Sequence, residues 1–370
     1  MTEQKIIGAG KTGMTNSPIC VHHLIVLDES GSMQRVRQST ISGCNETLGT
    51  IRTMQEENKN AQHHLVSIFL FDSNAEHSRY IRKEVPIDEI DDITSDDYKP
   101  HGSTPLYDAL GLTLGELSPL IKTDESIGYV TIITDGHENS SHEFGLDDVK
   151  RLIDALKEKG VVFSFIGANI DAKEYGERLH INNTLQFTQD DNGTREMWAM
   201  ESRSKVRSSR RLSMKQRMEA GLVDFSKEEN DGKYYDFDHL SPDHLAPDTI
   251  DNLTSNQVFV FGTSADGKHE EGTAKTALDK YGAVMGQGEG MQGQSYAIPV
   301  KGVSEAQVYR AVKRFISFAK DHSDREFIVT EVGCDTATLR IDQVAPFFYD
   351  AMPVKNIRLP RRFWEYNIGI

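Results

Sequence analysis

Short apolar stretches alternate with longer amphipathic ones between residues 20 and 190. The stretches 23–27, 65–71, 129–133 and 161–166 have the length and the β-branched composition of strands. The intervening segments 36–58, 104–117 and 146–159 have helical spacing, and the last places Val149, Leu152, Ile153 and Leu156 on one face. This alternation predicts an α/β fold with a doubly wound, mostly parallel sheet that is covered on both faces. The segment 79–86 is expected to pair antiparallel with 65–71.

The sequence changes character after residue 190 and again near residue 256. A basic run precedes acidic turns that contain Tyr and His, and we expect a solvated helix followed by a polar linker at 191–255. The alternative is an electrostatic docking surface for an acidic partner or a nucleic acid. The basic residues of the run are Arg203, Lys205, Arg207, Arg210, Arg211, Lys215 and Arg217. Strand-like and helical stretches at 258–261, 305–320 and 326–330 then predict a second α/β domain.

We therefore expect four parts: an N-terminal arm at 1–19, a first domain at 20–190, the basic helix and polar linker at 191–255, and a second domain at 256–370. The chain of 370 residues, 37% of them hydrophobic, is long enough for two cores. Its net charge of −16 repels phosphates, which disfavours nucleic acids and anionic membranes as partners. The three cysteines are far apart, and no apolar stretch has bilayer-spanning length. These features predict a cytoplasmic protein with no membrane contact.

The strongest chemical signal lies after the predicted strands of the first domain. Asp28, Ser30 and Ser32 follow the strand at 23–27, and Asp135 follows the strand at 129–133. Thr104 opens a helix. The carboxyl ends of parallel strands meet at one edge of a sheet, where ligands bind. Carboxylate and hydroxyl oxygens suit Mg²⁺ or Mn²⁺ rather than zinc. One segment alone is explained equally well as a helix cap.

Together these segments resemble the von Willebrand factor A (VWA) domain and its metal-ion-dependent adhesion site, over about residues 20–190. The resemblance implies that Ser30, Ser32 and Thr104 bind the cation through hydroxyls, while Asp28 and Asp135 act directly or through water. It also implies an open coordination position for an Asp or Glu of a partner protein. A zinc site at 137–142 is disfavoured because the spacing is not His-Glu-x-x-His.

Glycine loops follow the predicted strands of the second domain. They supply eight candidate ligand-binding residues: Gly262, Ser264, Lys268, His269, Gly288, Gly290, Gly333 and Asp335. Glycines at strand–helix junctions let backbone N–H groups approach a phosphate closely. Tight turns without a ligand are the alternative explanation.

Residues 256–364 resemble a phage- and bacteria-associated domain family related to macro domains, which implies a pocket for ADP-ribose or a similar nucleotide. The sequence departs from the family pattern. Ser264, Lys268, Glu270 and Thr273 replace an Asn, an Arg, a Gly and an Ala, and two glycines of the third loop are lost, one of them to Asp335. Carboxylates beside a phosphate cradle repel phosphate, so either the ligand has changed or the pocket has been lost.

Three functions follow from these features. The first is a cytoplasmic adaptor that grips a partner's Asp or Glu through Mg²⁺. The second is a sensor of ADP-ribose-like nucleotides. The third is a hydrolase, with Asp266, His269, Asp335 or Glu289 as candidate acid–base groups. We favour the adaptor, because no arrangement of nucleophile, base and orienting group can be read from the sequence. No catalytic residue is assigned, and enzymatic activity is left open.

Overall fold

The computed structural model describes residues 18–73, 78–122, 125–168, 170–217, 229–230, 234–235 and 244–368. Nearly all of the predicted N-terminal arm and much of the predicted polar linker lie outside these residues. The side chains of Lys215 and Arg217, from the predicted basic run, lie outside the description too. Within the described residues, no helix combines the length and the apolar character needed to cross a membrane.

The first sheet has six strands in the doubly wound order β3-β2-β1-β4-β5-β6. Its strands are β1 (Ile19–Asp28), β2 (Gln62–Phe71), β3 (Arg79–Pro86), β4 (Ser126–Thr134), β5 (Val162–Ala168) and β6 (Thr184–Phe187). Only β3 runs antiparallel, beside β2, as its sequence pattern predicts. The α/β class and the mostly parallel sheet are confirmed. Strand β6 was not predicted, because four residues carry too little periodicity.

Helices cover both faces of this sheet. Helix α1 (Arg37–Asn58), which follows a 3₁₀ turn at 31–36, packs on one face together with α5 (Asp191–Arg217). Helices α2 (Leu106–Leu117), α3 (Leu146–Glu158) and α4 (Ala172–Arg178) pack on the other. Alternate residues of β1 serve the two cores, with Ile25 and Leu27 facing α1 while Leu24 and Val26 face α2.

Three basic residues of the run, Lys205, Arg207 and Arg211, are buried, so the prediction of a solvated helix was wrong for them, whereas Arg203 is exposed as predicted. Lys205 and Arg207 are each only 2% exposed. Lys205 Nζ lies 2.8 Å from Glu201 Oε1, one helical turn earlier, and the Thr131 hydroxyl of β4 donates to the same oxygen over 2.6 Å. A buried cation is tolerated when a buried anion and hydrogen-bond donors compensate it. Glu201 and the polar residues of β4 provide this compensation.

The same helix contacts the second part of the chain. The Arg207 and Arg211 guanidinium groups lie over the ring of Tyr349, at 5.6 and 4.7 Å from its centroid. Arg210 donates to the carbonyl oxygen of Tyr366 over 2.6 Å. These cations therefore contact aromatic rings and a carbonyl of their own chain, which is the role that the alternative prediction gave to an external partner.

The second sheet has the order β11-β10-β7-β9-β8. Its strands are β7 (Gln257–Ser264), β8 (Gly290–Gln292), β9 (Ser295–Lys301), β10 (Glu326–Val329) and β11 (Ile357–Arg358), of which only β8 runs antiparallel to its neighbour. The helices are α6 (Gly272–Lys280), α7 (Glu305–Asp321), α8 (Ile341–Val344) and α9 (Arg361–Ile368). The second α/β unit is confirmed. Its relation to macro domains and the predicted domain boundaries stay predictions.

Candidate metal centre

Asp28 ends β1 and points into the protein at the carboxyl edge of the first sheet. Its side chain is fully buried. Oδ1 accepts the backbone N–H of Ser30 over 2.6 Å, and Oδ2 accepts the hydroxyl of Thr134, the last residue of β4, over 2.6 Å. These bonds fix the carboxylate between the ends of the two central strands.

Asp135 follows β4 and is joined to the Asp28 loop through hydroxyl groups. The Ser32 hydroxyl donates to Asp135 Oδ1 over 2.6 Å, and the Ser30 and Ser32 hydroxyl oxygens lie 3.1 Å apart. Ser30 is buried, whereas Ser32 is exposed. The two carboxylates therefore lie at the two ends of a short row of hydroxyls that reaches the surface.

Thr104 reaches the same edge from the loop before α2. It is buried, and a Cβ atom built on Gly136 would lie 3.0 Å from its hydroxyl oxygen, so this hydroxyl adjoins the backbone directly after Asp135. The backbone N–H of Gly31 donates to the carbonyl oxygen of Gly102 over 3.2 Å, which holds the Thr104 loop against the serine loop. The three loops that carry the five predicted residues thus converge.

Neither carboxylate has a basic partner within the part of the chain that the structure describes. Burial raises the pKa of Asp28 to about 6, against the opposing effect of its hydrogen bonds from Thr134 and Ser30. Burial also raises the pKa of Asp135. Among the described residues, no Lys, Arg or His lies within 4 Å of either group, whereas nearby Asp72 lies 2.7 Å from His101. Asp28 and Asp135 are therefore buried acids for which the described residues supply no compensating cation.

The donor set fits a hard divalent cation. Two carboxylates and three hydroxyls offer only oxygen ligands, as Mg²⁺ and Mn²⁺ prefer. Within the described ranges, no three His, Cys, Asp or Glu side chains converge in a way that could hold a metal ion. The zinc alternative at 137–142 gains no support, because the Glu138 carboxylate accepts the N–H groups of Ser140 and Ser141 and caps its own loop.

Sequence reasoning missed two residues of this edge. Thr134 hydrogen bonds to Asp28, and its position directly before Asp135 could have suggested it. Gln189, in the loop between β6 and α5, donates from its side-chain amide to the Ser32 carbonyl oxygen over 2.7 Å and to Asp135 Oδ2. No local pattern marks Gln189, since the strand that positions it was itself not recognised.

The eight candidate ligand residues of the second unit do not form one site. A cleft of about 580 Å³ is lined by Gly262, Ser264 and Lys268, but not by the other five. His269 is buried, with one ring nitrogen 2.9 Å from the Thr263 hydroxyl and the other 3.0 Å from the Val284 carbonyl oxygen. Both of its nitrogens are therefore used within the protein.

Asp335 lies where a phosphate would approach the start of α6. Its Oδ2 accepts the backbone N–H and the hydroxyl of Thr273, over 2.8 and 2.7 Å. A carboxylate at a helix N-terminus satisfies the same free N–H groups that would bind a phosphate. The acids of the cleft are largely paired as well, Asp266 with Lys268 at 3.0 Å and Glu271 with Lys301 at 3.1 Å.

Close packing explains most of the glycines in these loops. A Cβ atom on Gly262 would lie 2.9 Å from the Gly333 nitrogen, and one on Gly288 would lie 2.3 Å from the Ala265 carbonyl oxygen. Gly290 and Gly333 have φ values of +90° and +81°, which other residues rarely adopt. Glu289, a candidate acid–base group, pairs with Arg314 at 2.6 Å. The tight-turn explanation therefore accounts for these loops without a ligand.

Comparisons with known proteins give distant structural similarities only. No family model matches the sequence. No curated protein matches it either. Among solved structures, the chain is similar to proximal thread matrix protein 1 from the mussel byssus, with 14% identity, 50% of this chain and 47% of that chain covered, and a TM-score of 0.35.

Two further similar structures are the pilus adhesin SpaC from Lactobacillus rhamnosus GG and the manganese-loaded TRAP protein of Plasmodium vivax. The identities are 13% and 15%, and the TM-scores are 0.39 and 0.33. The alignments cover 52% and 49% of this chain, and 31% and 72% of the other chains. The chain spans less than half the length of the mussel and Lactobacillus proteins. Similarity at this level carries no functional argument. The fold class rests on the order and direction of the strands, which form a VWA- or Rossmann-like α/β sheet followed by a second α/β unit.

Proposed function

We propose that the first unit binds Mg²⁺ or Mn²⁺ at the edge formed by Asp28, Ser30, Ser32, Thr104 and Asp135. An ion held there would offer an open coordination position to an Asp or Glu side chain of a partner protein. The chain acts in this proposal as a metal-dependent adaptor, and its function is binding rather than turnover.

One observation carries the proposal: two buried carboxylates share an edge of the sheet with three hydroxyls and have no basic partner among the described residues. Burying an uncompensated carboxylate is costly, and proteins normally pair such a group or use it to bind a metal ion. The neighbouring acid Glu29 has a cation, Arg79 at 2.8 Å, and Asp72 lies 2.7 Å from the imidazole ring of His101. A cation at Asp28 and Asp135 would supply the compensation that these two acids lack.

The residues of the edge differ in the charge that they would bring to a bound cation. The hydroxyls of Ser30, Ser32 and Thr104 offer neutral oxygens, so the negative charge comes from Asp28 and Asp135 alone. A divalent cation held here would supply positive charge, and with Asp28 or Asp135 acting through water it would keep affinity for one more anionic oxygen. Hydrogen bonds from Ser30 and Thr134 keep Asp28 in place.

The edge is open to a partner. Ser32, Gly102 and Ser103 are exposed, whereas Asp28 and Ser30 below them are buried. A partner's carboxylate approaching from solvent would therefore meet the hydroxyl side of the site first.

No observation favours the nucleotide alternative for the second unit. Asp335 holds the helix start that a phosphate would need, and the cleft combines three acids with two lysines. We expect no heat when ADP-ribose is titrated into the full chain by calorimetry. Binding in the micromolar range would restore the alternative.

Capture of partner proteins by the immobilised full chain tests the proposal. Proteins retained with MgCl₂ should be released by EDTA and should not bind Thr104→Ala. The matched control is Thr113→Ala, because Thr113 is also buried but donates to the Ala109 carbonyl oxygen within α2, away from the edge. It should capture the same proteins as the unmodified chain. Replacing the partner's contacting Asp or Glu with Asn or Gln should then abolish binding.

Equal capture in EDTA would contradict the metal-dependent grip. So would retention of the same proteins by Thr104→Ala. A cytoplasmic location is part of the proposal, since Cys20, Cys44 and Cys334 are all free. Recovery of the chain only in a membrane or extracellular fraction would contradict that location.

A further inference from the structure

Gln189 crosses from the last loop of the first unit to the candidate metal centre. Its side-chain nitrogen donates to the Ser32 carbonyl oxygen over 2.7 Å and to Oδ2 of Asp135. Both acceptors are oxygens that cannot donate, so the amide has one sensible orientation, with its NH₂ group toward the site. Gln189 thereby joins the loop after β1 to the loop after β4.

The backbone that carries Gln189 is held firmly. The next residue, Asp190, accepts the N–H groups of Asn192 and Gly193 over 3.0 and 2.8 Å and so caps the start of α5. Asp191 accepts the hydroxyl of Ser39 on α1. The amide is therefore presented by an anchored helix start and not by a free loop.

Each oxygen of the Asp135 carboxylate now has its own donor. The Ser32 hydroxyl serves Oδ1, and the Gln189 amide serves Oδ2. Both donors are neutral, so they orient the carboxylate without cancelling its charge. Groups that hydrogen bond to a metal-binding side chain fix its orientation, and their loss commonly weakens metal affinity by about 10-fold to 100-fold.

We infer that Gln189 is a positioning residue of the metal centre, which orients Asp135 and fixes the Ser32 loop for cation binding. The inference rests on the proposed function. It adds a sixth side chain, 54 residues beyond Asp135, to the five that the sequence motif supplies. It also makes cation affinity depend on the junction between β6 and α5, which no motif marks.

Titration of Mn²⁺ into the metal-free full chain, followed by electron paramagnetic resonance, tests the inference. Gln189→Met keeps the length of the side chain and removes its donor, and we expect a Kd for Mn²⁺ about 10-fold higher. Gln189→Ala is a second variant with the same expected direction. The matched control is Gln186→Met, since Gln186 is exposed on β6 and accepts the Ala172 N–H over 3.0 Å, away from the edge. Its Kd should equal that of the unmodified chain.

A double-mutant cycle separates positioning from a general structural effect. In an Asp135→Ala background, Gln189→Met should cause a clearly smaller loss of affinity, because Asp135 is gone and only the Ser32 carbonyl oxygen remains as an acceptor. Thermal unfolding in EDTA should give a cooperative transition for each variant, which shows that the variants are folded.

The inference is overturned if the unmodified chain binds Mn²⁺ and Gln189→Met binds it equally well. An equal loss of affinity in both backgrounds also overturns it. Failure of the unmodified chain to bind Mn²⁺ overturns the proposed function itself, so the two failures are distinguishable.

Discussion

Replacing Asp28 with Asn should stabilise the protein when no divalent cation is present. Burial raises the pKa of Asp28 from 3.8 to about 6. A folded-state pKa above the unfolded value means that ionisation is disfavoured by folding. Stability is therefore lost as the pH rises from about 4 to about 6, and the full penalty of about 3 kcal/mol is present above that window. Asn carries no charge and avoids this penalty.

The net gain is smaller because hydrogen bonds change. Asp28 accepts from Ser30 and from Thr134, and the single acceptor of Asn satisfies one of them, which costs about 1 kcal/mol. We expect Asp28→Asn to be about 2 kcal/mol more stable than the unmodified chain in EDTA at pH 7.5. For a unit of this size, that corresponds to a rise in Tm of about 4–8 °C.

Adding Mg²⁺ should reverse the order. A ligand at about 100 times its Kd stabilises the folded state by about 2.7 kcal/mol, and only the unmodified chain should gain this. Tryptophan fluorescence can follow the first unit, because Trp198 lies in α5 and the other tryptophan, Trp364, lies in α9. Both proteins would carry Trp364→Phe. The control is Asp72→Asn, which loses its His101 partner and should be destabilised equally in EDTA and in Mg²⁺.

One result would refute this reasoning. If Asp28→Asn is destabilised to the same extent with and without Mg²⁺, Asp28 acts only as an acceptor that shapes the turn after β1. The helix-cap explanation would then suffice.

Three further predictions follow from buried polar groups. Burial lowers the pKa of His64 to about 4, so the free energy of unfolding in Mg²⁺ should fall as the pH drops from about 6.5 toward 4. Urea unfolding at several pH values measures this. An equal fall of the urea midpoint in His64→Gln would contradict it. Lys205→Met should lower the free energy of unfolding by about 3–5 kcal/mol, because Glu201 is left buried without its cation. The double variant Lys205→Met/Glu201→Gln should recover part of this loss. An unchanged urea midpoint for the single variant would contradict the prediction. Asp335→Ala should cost the second unit about 1 kcal/mol, read from Trp364 emission during urea unfolding, because Thr273 loses its cap; unchanged stability would show that the cap is not needed.

The convergence of Asp28, Ser32 and Asp135 could be predicted from sequence because strand direction decides it. Each residue follows a short apolar run that is buried on both faces, and parallel strands deliver such loops to one edge. The local sequence pattern was therefore enough to predict that these residues lie close together in the fold. The antiparallel direction of β3 was predictable for a similar reason, since a short connection joins it to β2.

The burial of Lys205 could not be predicted, since it depends on partners far away in sequence. Glu201 lies one turn earlier, but Thr131 of β4 lies 74 residues away from Lys205. A basic run in the sequence therefore predicts a solvated helix, because the buried partners of its side chains become visible only in the folded structure. Strand β9 was missed because a proline inside a run argues against a strand. Pro299 is tolerated in β9 because the neighbouring three-residue strand β8 pairs only with residues 295–297 and ends before the proline.

Asp28 and Asp135 have no basic partner among the described residues, and in the proposed function Mg²⁺ or Mn²⁺ would supply the missing positive charge. Counting the Mn²⁺ ions bound to the metal-free full chain, by loss of the free-ion resonance signal, tests it most directly. We expect one bound ion per chain, displaced by excess Mg²⁺ and absent in a Ser30→Ala/Ser32→Ala variant. A free-ion signal that rises in proportion from the first addition, or identical binding by that variant, would contradict it.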